Sequence, residues 1–406
     1  MAEPSGTTVV HHKTEFDKWQ SLSLGIYMAL VGYAVMVGLP VISTQWVNNL
    51  GFSEVEVGRV TGADLYGLGI GAVIAFFTVT KFDRRMIAIA AAIVAVAANV
   101  LCIYYQDYES TLWLRLMAGI GAGVYTGVAL ATIGGHSKPA FAFAMELFAF
   151  AFSQAGELKF LPYLSIEEMY IAFAAAFVIG LLFIGWLPRR PAEAALDVEV
   201  DVEEQQGDHH VEHVKVPTYV PWLVMVAVVF TYINIGAYWT YIELATVDSA
   251  ADPSWVADML VYTSFFSLVG CAVAVWLSNL YGLSKPLMVT LIFQASIVAM
   301  LVFGITNMTV MISMFAFNFC WIFVDIYQAA VISNVDRSGR MVSLLPAAHG
   351  LGNGLGPNLA ATVLAWEFGY NGVFIMCASA SIVAMLVYLY MYLKLKKIIP
   401  ALADAS

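Results

Sequence analysis

The sequence predicts an all-α integral membrane protein with 12 transmembrane helices in two sets of six. Three observations lead there. The first is composition: of 406 residues, 61% belong to the set AVILMFWYC and only 12% are Asp, Glu, Lys or Arg, against roughly 45–50% apolar and 25% charged in a soluble domain. The second is a series of apolar runs of about 20 residues, the length that crosses the hydrocarbon layer as a helix; a membrane barrel would show alternating segments of about 10 residues instead. The third is the confinement of basic residues to alternate loops. Collagen, a disordered tail and a disulfide-stapled secreted domain are excluded by 31 Gly, 13 Pro and 4 Cys. A net charge of −11 excludes general affinity for nucleic acid.

The runs lie near 22–47, 55–79, 86–105, 111–134, 140–162 and 169–187, then near 220–245, 256–279, 286–304, 309–333, 341–366 and 372–393. They define an N-terminal bundle over residues 1–187, a linker over 188–218 and a C-terminal bundle over 219–406. Except for Arg59, Arg115 and Lys159, every Lys and Arg falls in the tails or in loops near 80–86, 135–139, 188–218, 280–286 and 334–340. The opposite loops carry acids, among them Asp107, Glu109, Glu167, Glu168, Asp248 and Asp252. Basic loops stay in the cytosol, so both termini are expected to be cytoplasmic and the chain to span a plasma or bacterial inner membrane many times. Residues 1–20 are polar, with no short apolar core before a cleavage site, so no removable signal peptide is expected.

The linker holds Asp197, Glu199, Asp201, Glu203, Glu204, Asp208 and Glu212 and reads as a solvated acidic tether. His209, His210 and His213 within it are the one cluster with metal-ligand character; the tether reading is preferred and no metal site is assigned. Cys102, Cys271, Cys320 and Cys377 all sit in apolar runs and read as small hydrophobes. The Asn307-Met-Thr309 glycosylation pattern lies in a very short loop and is read as chance. No G-x-x-x-x-G-K-[ST] loop, H-E-x-x-H helix or Ser/His/Asp set is present, which argues against an ATP-driven pump and against an enzyme.

Local motifs carry a family resemblance. Thr80-Lys81-Phe82-Asp83-Arg84-Arg85, between the second and third runs, is similar to the D-R-x-G-R-R loop of the major facilitator superfamily, with Thr80 and Asp83 where the family has Asp and Gly. Asn279 to Lys285 occupies the equivalent place in the second half and keeps Gly282 and a basic residue. Arg115-Leu-Met-Ala-Gly119-Ile-Gly121-Ala-Gly123 resembles the family's R-x-x-x-G-x-G-x-G signature. The fifth run has Gly156 as its only glycine and lacks the G-x-x-x-G-P signature of drug antiporters. The resemblance implies two pseudo-symmetric six-helix bundles, alternating access, and gating loops that use Lys81, Arg84, Arg85 and Lys285. It also implies that the seventh run lines a central cavity.

Charged residues at membrane depth are costly, about 2.5–3.5 kcal/mol each on insertion scales, and generally face a protein interior or a wet cavity. Asp64, Arg115, Glu146, Asp325 and His349 are the candidates for proton coupling. Burial disfavours a carboxylate's charge and a neighbouring Arg restores it, so a carboxylate that changes surroundings can load and release a proton. Asp64 and Arg115 come at similar depths in neighbouring runs, which permits an ion pair. Arg115 could instead snorkel, and each of the others could be a packing residue. Glu157 and Glu243 lie nearer the outer face and are weaker candidates. Tyr27, Tyr33, Tyr125, Tyr232, Asn234, Tyr238, Asn318, Gln328 and Asn353 are the candidates for lining a substrate cavity.

The expected function is secondary active transport of a small organic solute, an organic anion or aromatic compound in the first instance, by proton-coupled symport. Efflux of a drug or metabolite and a non-transporting scaffold are the alternatives. The expected partners are a small-molecule substrate and the lipid bilayer, the expected state is a monomer, and no cofactor is expected beyond the coupling ion. That ion is H⁺, with Na⁺ the alternative.

Overall fold

The structure is a computed structural model and describes residues 15–189, 217, 219–247, 249–281, 283–335 and 344–398. The acidic linker with His209, His210 and His213 lies outside these residues, as do Asp248, Arg337 and Arg340. Thirteen α-helices are described: α1 (Trp19–Leu50), α2 (Glu54–Thr78), α3 (Arg84–Tyr104), α4 (Tyr108–Gly134), α5 (Pro139–Phe160), α6 (Ile166–Leu182), α7 (Val220–Tyr241), α8 (Pro253–Thr263), α9 (Phe266–Tyr281), α10 (Ser284–Ala299), α11 (Asn307–Val335), α12 (Leu345–Ala365) and α13 (Gly369–Ile398). They make 12 spans, because α8 and α9 are the two halves of one. Nine of the spans are long and apolar enough to cross a membrane by themselves. Of the other three, α6 has only 17 residues, while α5 carries Glu146 and Glu157 and α12 carries His349, Asn353 and Asn358. Large apolar side chains such as Ile93, Val275, Trp276, Val289, Ile375 and Leu386 stay exposed on the outside, a surface suited to lipid rather than water.

Helix ends follow local chemistry. Gly51 closes α1 in the left-handed conformation, φ 69°, and its amide reaches back to Trp46 and Val47. Ser53 and Glu56 form a reciprocal capping box at the start of α2, as Ser165 and Glu168 do for α6. Asp107 and Asp252 cap α4 and α8. The Ser110 amide beside Asp107 and the Ser254 hydroxyl beside Asp252 hold those carboxyls below the usual carboxylate range. The run expected near 256–279 is interrupted at Ser264–Phe265. There the Ser264 and Phe265 amides bond three residues back, while the Thr263 hydroxyl leaves the helix for the Met314 carbonyl at 2.8 Å. Hydroxyls that compete for backbone partners bend helices in this way.

The two halves repeat one packing pattern. Helix α1 packs on α4, α5 and α6 as α7 packs on α11, α12 and α13; α3 meets α4 and α6 as α10 meets α11 and α13. Between the halves the principal contacts are α2 with α12, α5 with α8, and α1 with α7. Lipid supplies no hydrophobic drive for helices to associate, so close backbone approach through small residues does the work. The signature glycines of α4 provide it: a Cβ at Gly119 would strike the Asp64 carbonyl, one at Gly123 the Leu68 carbonyl, and one at Gly121 the Ala91 carbonyl. On the α2–α12 seam, Gly69 and Gly350 meet backbone to backbone.

Overpacking such a contact costs about 1–3 kcal/mol or more. Gly123→Leu is therefore expected to lower the thermal midpoint of the detergent-purified protein, followed by fluorescence-detected gel filtration. Gly156→Leu, at a glycine with open space around its Cα, is expected to leave it unchanged.

Candidate functional site

For orientation, the side of the bundle bearing the α1–α2 turn is called the Gly51 face, and the side bearing the α2–α3 loop the Lys81 face. Ionisable groups inside the spans fall into two constellations.

The first lies within the N-terminal half. Arg115 Nη2 donates to Asp64 Oδ1 at 2.9 Å, and the two side chains are 2% and 6% exposed. Arg115 Nη1 donates to Asn99 Oδ1 at 2.8 Å, and the guanidinium stands 5.9 Å from the Tyr170 ring. The Tyr170 hydroxyl in turn accepts from Trp46 Nε1 at 2.9 Å. A cavity of about 20 Å³ adjoins the pair, lined by Gly32, Met36, Asp64, Asn99, Arg115 and Phe173 among others. Asn99 belongs to a buried stripe of α3 that is otherwise Ala88, Ala91, Ala92, Ala95 and Cys102. A lone amide in a small-residue stripe is the sequence signal that would have revealed it.

The second constellation lies between the halves. Tyr232 on α7 donates its hydroxyl to Asp325 Oδ1 on α11 at 2.8 Å. His349 on α12 places Nε2 3.4 Å from the same oxygen, and its ring stacks on that of Tyr232 with centroids 3.9 Å apart. Across the seam, Tyr33 on α1 and Glu146 on α5 are close enough for the Asp325 charge to act on both. Phe150, one turn from Glu146, meets the Tyr33 ring edge-on at 6.3 Å. The Asp325 and His349 side chains are 36% and 21% exposed, so neither is sealed inside the protein. Five helices from both halves thus contribute to one site.

The remaining lining candidates take other places. Tyr27 donates to the Ala176 carbonyl at 2.8 Å, and buried Tyr125 packs on Phe177. Asn234 donates to Ser381 at 2.7 Å, Tyr238 shares a hydrogen bond with Ser313 at 2.8 Å, Asn318 donates to Thr263 at 3.2 Å, and Gln328 donates to Thr231 at 2.8 Å. All of these contacts stay within one half. Asn353 is buried at the seam, its amide 3.9 Å from the Met36 sulfur. Glu157 bonds Ser153 at 3.1 Å on its own helix. In the α2–α3 loop, Arg84 faces the Phe16 ring at 4.9 Å, Arg85 donates to the Leu187 carbonyl at 2.6 Å, and Lys81 is exposed, like Lys285. Among the described residues no group of three or more His, Cys, Asp or Glu side chains is arranged to hold a metal ion.

The halves are tied together on the Gly51 side of the chamber. Arg59 of α2 donates to the Asn358 carbonyl at 3.0 Å and side-chain oxygen at 3.1 Å, and to the Thr362 hydroxyl at 2.9 Å. Tyr241 and Tyr370 donate to the carbonyl and carboxylate of Glu54 at 2.7 and 2.6 Å. Trp239 donates to the Val37 carbonyl at 3.1 Å, and Lys159 pairs with Asp258 at 3.1 Å. Helix α5 leans on α8, the Gly51 half of its span, more extensively than on α9. Sequence reasoning set Arg59 aside as a helix-edge charge, because the amide and hydroxyl it joins lie some 300 residues away.

Two six-helix bundles that repeat one packing pattern, with a polar cluster at the seam between them, define the class of membrane transporters that alternate between two openings. The comparisons agree. The family model described as Major Facilitator Superfamily matches residues 24–357, and the chain belongs to that superfamily. No curated protein sequence matches the chain. Among solved structures, the nucleoside transporter NupG superposes with a TM-score of 0.69 at 14% identity, covering 92% of this chain and 99% of that one. A D-xylose–proton symporter does so with a TM-score of 0.69 at 15% identity, over 91% and 96%. The tetrameric PepTSo2 gives 0.67 at 13% identity, over 95% and 99%. Identity this low establishes the shared fold.

Two outcomes test the geometry. Removing one partner of a buried ion pair costs about 3–5 kcal/mol, since the other charge is left uncompensated; Asp64→Ala is expected to lower the thermal midpoint sharply and Asp64→Asn less so. Charge-assisted hydrogen bonds are worth about 1.5–3 kcal/mol each, enough to move a two-state equilibrium tenfold or more. Arg59→Ala is therefore expected to lengthen the electron–electron distance between spin labels at Glu109 and Glu367 in a cysteine-free background. An unchanged distance distribution would show that Arg59 does not hold this face shut.

Proposed function

We propose that the chain is a secondary transporter that moves a small organic solute across the cytoplasmic membrane by alternating access, linked to proton movement through Glu146 and Asp325. The observation that carries this reading is the placement of these carboxylates on opposite halves at the seam, Asp325 beside His349 and Tyr232 and its charge within reach of Glu146, below the ties on the Gly51 side. When the halves rock, the ties on the Gly51 side break and the environment of both carboxylates changes, because each is held by a different half. A carboxylate whose surroundings alternate between wet and closed binds its proton on one side and releases it on the other.

Orientation supports the same reading. The Lys81 face carries Lys81, Arg84, Arg85, Lys138, Arg189, Lys285, Lys394 and Lys396, while the Gly51 face carries Glu54, Glu56, Asp107, Glu109, Glu167, Glu168 and Asp252. By the positive-inside rule the Lys81 face is cytosolic, and the described chain ends, Glu15 and Ile398, lie on that face. Residues 1–187 and 219–406 are the two rocking bodies, joined by the 188–218 tether. One chain supplies the whole site, so a monomer suffices. A proton-linked sugar carrier and carriers for nucleosides share the architecture, which suits a solute of that size.

Asp64 and Arg115 hold the N-terminal half together in this scheme, since each already occupies the other's charge away from Asp325. The test is reconstitution into liposomes loaded with a pH-sensitive dye and challenged with amines, alcohols, sugars and nucleosides. At least one solute class is expected to drive proton movement, and Glu146→Gln and Asp325→Asn are each expected to reduce it at least tenfold. If no class moves protons, or if both variants behave as the native protein, proton linkage through this chamber is wrong.

A further inference from the structure

The charges that face the chamber are unbalanced. The described cationic side chains of the spans are Arg59, Arg115 and Lys159, with Arg84, Arg85, Lys285, Lys394 and Lys396 at the helix ends on the Lys81 face. Those nearest the seam and the N-terminal core are engaged elsewhere. Arg59 bonds Asn358 and Thr362 on the Gly51 side, Arg84 faces Phe16 on the Lys81 side, Arg115 bonds Asp64 and Asn99, and Lys159 pairs with Asp258. What looks into the chamber is Glu146, Asp325 and His349, the last already 3.4 Å from Asp325. One Asp325 oxygen receives both the Tyr232 hydroxyl and the His349 approach, which leaves the second oxygen as an acceptor without a bonded donor among the described contacts. The surrounding walls are aromatic: Tyr33 with Phe150 on one side, Tyr232 and Trp321 on the other.

Among the described residues, an anion entering this space would meet two carboxylates and no guanidinium or ammonium group at their depth, and would be repelled. A cation would meet two acceptors of opposite sign beside the rings of Tyr33 and Tyr232, and aromatic rings attract cations through their quadrupoles. We infer that the chamber selects small organic cations, an ammonium group on an apolar or aromatic body, held between Glu146 and Asp325. This rests on the transport reading given above and narrows it. It also departs from the organic anion named among the expected solutes.

The charge class sets the sense of coupling. Symport needs solute and proton to bind together, whereas exchange needs them to compete. An ammonium group and a proton compete for the same carboxylates, so binding the cation expels a proton and the reaction is cation–proton exchange. The sign follows: an ammonium group is held only by a carboxylate that has given up its proton, so acid weakens binding.

Three families matched in shape and differing in charge provide the test: phenethylamine, tyramine and butylamine; 2-phenylethanol, tyrosol and butanol; phenylacetate, 4-hydroxyphenylacetate and butyrate. Binding to purified full-length protein is read by thermal shift and by calorimetry in two buffers of different ionisation enthalpy, which counts released protons. At least one amine is expected to bind tenfold or more tightly than its alcohol, with proton release, and the carboxylates are expected not to bind. Lowering the pH should weaken the amine, and Glu146→Gln or Asp325→Asn should each weaken it at least tenfold. The comparison among ligands uses the native protein, so it stands even if a variant folds poorly. Equal binding of alcohols and amines, binding of the carboxylates, or no amine binding overturns the inference. If alcohols or sugars then still drive proton movement in the dye-loaded liposomes, the transport reading survives alone; if nothing does, both fall.

Discussion

Keeping charge out of the hydrocarbon layer is the constraint on which the rest of this structure depends. With so few ionisable residues in the spans, each needs its own shelter, and the shelters organise the molecule. Arg115 and Asp64 neutralise one another inside the N-terminal half, with Asn99 taking a further guanidinium proton. Arg59 uses backbone and side-chain oxygens of α12. Glu146 and Asp325 lie on opposite halves at the seam, with the Asp325 side chain still 36% exposed. The contacts across the seam and the chemistry of the site are therefore coupled.

The glycine-rich helices are the mechanical complement. Their close approaches fasten α2 to α4 within one half and α2 to α12 between halves, and α12 in turn lies on α7 through Gly352 and Gly356. A glycine contact such as that of Gly69 with Gly350 has no interdigitated side chains to unlock. Helices joined that way can slide or tilt at little cost, whereas the hydrogen bonds of Arg59, Glu54 and Trp239 must break outright. The seam thus combines a smooth bearing with discrete latches, a combination suited to a two-state motion.

The α2–α3 loop illustrates how a family motif can be kept in outline and altered in detail. Where the family carries Asp, this chain has Thr80, and where it carries Gly, it has Asp83. Asp83 caps α3 by accepting from the Arg85 amide at 2.9 Å and lies 3.9 Å from Arg189, while Arg84 and Arg85 bind the end of their own half. The described contacts of the motif fasten α3 to α6 and the N-terminal turn.

Hydrophobic length and charge placement determined the number of spans and their division into two sixes, because lipid demands about 20 apolar residues per crossing whatever the helix packs against. The glycines of α4 were legible for a related reason, since small residues at helical spacing can serve close packing and little else. The Asp64–Arg115 pair could be anticipated from matched depth alone. Rotation about each helix axis could not. Whether Tyr238 faces the chamber or Ser313, and whether Arg115 reaches a solute or Asp64, depends on a turn of some tens of degrees that a run of uniformly apolar neighbours does not encode. Those rotations are set by packing between segments up to 300 residues apart, and only the tertiary structure could bring Glu146, Tyr232, Asp325 and His349 to one place while Arg115 turns to Asp64.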